Sequence, residues 1–150
     1  MALAMCALAL GSCASVIDTE GPAATQRLFS VGYENIADRY IERVNLGRVS
    51  IAGLSSLAQV DPSLNISREA GQVRLSASDM PAALWQSPET GDVSGWAQVI
   101  AEAVDAARAA SPELRKKSTG DLSNAVFRGV MSEFDRYSRY AGPRLTRRSR

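Results

Sequence analysis

Between Thr25 and Val44, apolar residues recur at Phe29, Tyr33, Ile36, Ala37, Tyr40 and Val44, with Glu34, Asp38, Arg39, Glu42 and Arg43 in the intervening positions. Intervals of three and four residues put the first set on one side of an α-helix, and so predict an amphipathic helix that packs by that face. A shorter stripe follows at Leu46, Val49, Gly53, Leu57 and Val60. Asp61-Pro62 predicts its end near Val60, because helical backbone angles are disfavoured just before proline. The period then shortens. Ile66, Val73, Leu75 and Ala77 lie around Glu69-Ala70-Gly71-Gln72, and this alternation about a glycine turn predicts a small β-hairpin near 64–77. Pro81 suits the first turn of a short helix holding Ala82, Leu84 and Trp85. Val93, Trp96, Ala97, Ile100, Ala101, Val104 and Ala107 form the next long stripe, rich in alanine and so in helix propensity. Ser111-Pro112 opens one more turn through "ELRKK" before Ser118-Thr119-Gly120 interrupts it. Asp121 is the expected cap of a last helix carrying Leu122, Ala125, Val126, Gly129, Val130 and Phe134.

These segments predict a mainly α fold, a small bundle of about four helices with short links that make neighbours antiparallel, plus the hairpin. The folded unit is expected over 25–143. Residues 144–150, with Arg144, Arg147, Arg148 and Arg150, read as a basic linker or the start of a following domain. Two stretches, "IAGLSSLAQVDPS" and "FRGVMSEFDRYS", each begin with an apolar-glycine pair and run through a helix to Asp and Ser. A glycine in each would let two helices approach closely.

The opening "MALAMCALALGSCAS" is apolar from Ala2 to Leu10 and then turns to small residues. A membrane span needs ~20 apolar residues, and this run has roughly half that. The layout is that of a secretory signal, with 1–12 removed and 13–24 left as a flexible tether. "Leu10-Gly11-Ser12-Cys13" resembles the lipobox of bacterial lipoproteins, which implies lipid attachment at Cys13 and a periplasmic, membrane-anchored location. The other reading is an apolar N-terminal helix packed on the core; no Lys or Arg precedes the run.

Composition narrows the chemistry. The 150 residues contain no histidine, which excludes Ser-His-Asp and Cys-His centres and histidine metal sites within this sequence. The two cysteines, Cys6 and Cys13, both precede the folded part. With 17 Lys and Arg against 16 Asp and Glu, no global field draws nucleic acid, and the terminal arginines read as a solvated segment. A Ser-Lys pair would need a desolvated lysine, and Lys116 and Lys117 sit together beside Arg115 in a polar stretch. Glu133 and Asp135, two apart on a helix, point to different sides. "GRVSIAGLSS" lacks the glycine-lysine ending of a phosphate-binding loop. No catalytic residue, metal ligand or cofactor site is expected in this chain.

The segment "FRGVMSEFDRYSRYAGP" resembles a signature of the C-terminal-processing, or tail-specific, serine peptidases. Gly129, Met131, Phe134, Asp135, Ser138, Tyr140 and Pro143 hold matching positions, while Arg136 and Tyr137 stand where the family has proline and histidine. "YENIADRYIERVN" and "LGRVSIAGLSSL" resemble the family's opening helices. The resemblance implies a helix closing near Asp135 and a turn at Gly142-Pro143 toward a PDZ domain. It also implies a helical region for packing, dimerisation or adaptor docking, with the Ser-Lys dyad of full-length relatives beyond Arg150. The implied partners are a protein substrate or adaptor, a second copy, and the membrane through the lipid anchor. The alternative is a stand-alone helical lipoprotein that binds a protein partner.

Overall fold

The computed structural model describes residues 21–39 and 44–145, with side chains described at 21–35 and 44–135. Cys13, expected to carry a lipid, the expected signal segment 1–12 and Tyr40 of the first stripe lie outside the described residues. The elements are α1 (Pro22–Arg39), α2 (Leu46–Ser55), a 3-10 turn (Ser56–Gln59), β1 (Leu64–Glu69), β2 (Gln72–Ala77), β3 (Met80–Gln86), α3 (Val93–Ala110), α4 (Pro112–Arg115) and α5 (Thr119–Leu145). The fold is mainly helical with a three-stranded antiparallel sheet in the order β1-β2-β3.

Helix α3 is central. It packs against α1, α2, α4, α5 and the sheet, and buries Trp96, Ala97, Val99, Ile100, Ala101, Ala103, Val104 and Ala107. Helix α1 packs along it, and Asp92 caps it by accepting from the Gly95 amide at 2.9 Å. From α1, Phe29 and Tyr33 enter the core, with Phe29 edge-on to both Tyr33 and Phe127 of α5. Full burial of each such side chain stabilises the fold by about 1.5–3 kcal/mol. The inner sheet face contributes Leu64, Ile66, Val73 and Leu75 to the same core, with Ala83 and Trp85 partly covered.

The β1–β2 hairpin falls where the alternation places it, pairing Leu64 with Ala77 through to Glu69 with Gln72. Its two turn residues, Ala70 and Gly71, both have positive φ, the backbone of two-residue hairpins whose twist matches that of the strands. The same device corrects the expectation of a helix at Pro81. Ser78 and Asp79 also have positive φ, so the chain folds straight back along β2, and residues 80–86 form a strand. Ala83 and Trp85 then face the core, and Leu84 faces solvent. Pro81 is tolerated because β3 is an edge strand.

Three element ends also differ from expectation. Helix α1 begins at Pro22 rather than near Thr25, with the Gly21 carbonyl accepting from the Ala24 and Thr25 amides, so residues 22–24 belong to the helix and not to the expected tether. The cap of α5 is Ser118, whose hydroxyl accepts from the Asp121 amide at 3.0 Å; Asp121 lies inside the first turn, where its charge suits the helix dipole. Most consequentially, α5 does not close near Asp135 or turn at Gly142-Pro143: its helical backbone continues to Leu145. Arg136 accounts for this, since a proline at that place would remove an amide and clash with the preceding turn, whereas arginine continues the helix.

Candidate functional site

The two glycines that the sequence pairs meet at the seam between α2 and α5. Asn45 starts α2 by accepting from the Arg48 amide at 3.0 Å, and the Leu46 amide is held by the Thr90 carbonyl. From that start, the helical repeat brings Gly53 onto Gly129 of α5. A Cβ on Gly53 would lie 2.5 Å from Val130 Cγ2 and 2.9 Å from the Val126 carbonyl oxygen; one on Gly129 would lie 3.0 Å from Gly53 Cα. The two backbones therefore touch, as the glycines of the two similar stretches suggest. Ser56 fastens the next turn by donating to the Ala125 carbonyl at 3.2 Å.

Buried hydroxyls tie α1 to both helices of the seam. Tyr33 Oη lies 2.6 Å from Ser50 Oγ of α2, and Thr25 Oγ1 lies 2.8 Å from Ser123 Oγ of α5. Ser123 directs its hydrogen to the Thr119 carbonyl, which makes Thr25 the donor of that pair. Burial pushes the Tyr33 phenol above its ordinary range, and the Ser50 hydrogen bond opposes the shift without cancelling it.

On the outer side of the seam, Arg48 sends Nε and Nη2 to one oxygen of Glu133 at 3.1 and 2.9 Å. The arginine is largely exposed and the carboxylate largely covered, so the pair contributes about 0–1 kcal/mol and chiefly fixes helix register. Beyond it opens a groove of about 750 Å³, lined by Ala52, Ser55, Ser56, Gln59, Arg128 and Ser132. Its walls are mixed polar and small. Ser55 and Ser56 already donate to the Ile51 and Ala125 carbonyls and offer only acceptor oxygens, while Gln59, Ser132 and the Arg128 guanidinium bring donors to the groove.

Of the residues singled out by sequence, Gly129 is in the seam and Asp135 is exposed on α5. Ser138, Tyr140 and Pro143 follow on the helical backbone, so the motif is strung along ~21 Å of helix from Gly129 to Pro143 and not gathered into a pocket. Glu133 turns to α2 while Asp135 faces solvent, as their spacing requires. Lys116 is exposed and sits 2.7 Å from Glu113, and Lys117 is exposed beside it. Among the described residues there is no cluster of three or more acidic, cysteine or histidine side chains, and no helix is long and apolar enough to cross a membrane.

Sequence reading missed a second polar joint, where the seam passes into the sheet. Asp61 accepts from Ser111 Oγ at 2.5 Å and from the Ser63 amide at 2.9 Å, while Ser111 also accepts from the Leu114 amide to cap α4. The Ser111 hydrogen bond first, and those from Ser63 next, hold the Asp61 carboxyl below its usual range. The Asp61-Pro62-Ser63 turn was the local signal for this; its partner fifty residues away left none. No protein family, curated protein or solved structure matches the chain.

Proposed function

We propose that the chain is the non-catalytic helical region of a C-terminal-processing serine peptidase, held at the bacterial envelope through Cys13. One observation supports this reading above others. Of the three stretches that resemble the family, in α1, α2 and α5, the one in α2 is joined to the other two by Tyr33–Ser50 and the Gly53–Gly129 contact, and Thr25–Ser123 ties α1 to α5 outside them. Pieces of a shared signature are expected to pack as one unit. In this reading α5 is an extended arm rather than a closing helix, and the seam fixes the direction in which it leaves the bundle. The chain's role is then to pack, dimerise or dock an adaptor, and cleavage of protein C-termini belongs to the following domains.

The coding sequence after codon 150 tests the reading. An open frame that encodes a PDZ domain and then a serine nucleophile with its lysine is the expected result. A stop codon with no such sequence downstream overturns it in favour of an independent helical lipoprotein. Turnover of an unstructured protein substrate by the purified chain, lost on substitution of Lys116 or Lys117, overturns it as well.

A further inference from the structure

We draw no further inference here: the strongest candidate, the surface patch on the outer side of α1 and α5 where Leu28, Val31 and Met131 stand exposed beside the half-buried Phe127, is an apolar face of the described residues, and nothing in the structure shows what covers it.

Discussion

At the α2–α5 seam two helices meet backbone to backbone, with Gly53 against Gly129 and no side chain between them. At the sheet, one face is pressed on the core, the other is open to water among the described residues, and one edge strand, β3, has no ionisable side chain. The seam buries both of its helix backbones against each other; the sheet buries only one of its faces. Both regions nevertheless draw on one contiguous core, in which Leu75 of β2 and Phe134 of α5 belong to the same cluster. What separates them is thus the treatment of their outer surfaces and not their share of apolar burial.

The sharpest way to break that statement is to hollow each region in turn. Phe134→Ala is expected to destabilise the fold by about 4 kcal/mol and Leu75→Ala by about 3 kcal/mol, since both side chains are fully or nearly fully buried. In urea, each variant should lose midpoint with an unchanged slope and a single transition. A Leu75→Ala variant that melts in two steps would show that the sheet is a separate cooperative unit, and the shared-core argument would fall.

A smaller effect distinguishes the two glycines within the seam. In Gly53→Ala the new methyl meets the Val126 carbonyl, which belongs to a helix and cannot swing aside, so α2 and α5 must separate. Overpacking of this kind costs about 1–3 kcal/mol, and the helix-propensity gain of ~1 kcal/mol offsets only part of it. A net loss of about 2 kcal/mol is expected. In Gly129→Ala the contacts are 3.0–3.3 Å and a shift of a few tenths of an ångström relieves them, so the change should stay within ~1 kcal/mol of zero. Equal losses in the two variants, measured by denaturation, would mean that the seam yields as a whole and that backbone contact at Gly53 does not set its spacing.

How much of this was legible depends on whether the deciding contact is local. The stripes of α1, α2, α3 and α5 and the β1–β2 hairpin follow from periodicity alone, and the paired glycines announced a close approach. Strand β3 did not, because Pro81 favours a helix start as well as an edge strand; the choice was made by positive φ at Ser78 and Asp79, a turn that the pair Ser-Asp signals weakly. The length of α5 was misjudged because the expected stop came from the family's proline, although Arg136 occupies that place and carries the amide a helix needs. The hydroxyl pairs lay out of reach for another reason. Thr25 and Ser123 are 98 residues apart, and nothing in the flanking sequence of either marks it as the other's partner.

The finest distinction between seam and sheet lies in their response to pH. At the seam, the Tyr33 phenol titrates above its unfolded value of ~10, so its neutral form is stabilised by the fold and stability falls as pH rises beyond that point. At the joint that leads into the sheet, the Asp61 carboxyl titrates below its unfolded value of ~3.9, so its contribution is present above that pH and is lost as pH falls through the folded value. Between the two limits neither group changes charge, and Asp61→Asn should cost most at neutral pH, where the carboxylate contributes fully, and least in acid, where the wild type has lost that contribution too. Urea midpoints measured from pH 6 to pH 2 are expected to decline less steeply for Asp61→Asn than for the wild type, while Tyr33→Phe should flatten only the decline above pH 10. If Asp61→Asn and the wild type run parallel through the acid range, the carboxylate does not hold the joint, and the passage from seam to sheet rests on the packing of Leu57 and Leu64 instead.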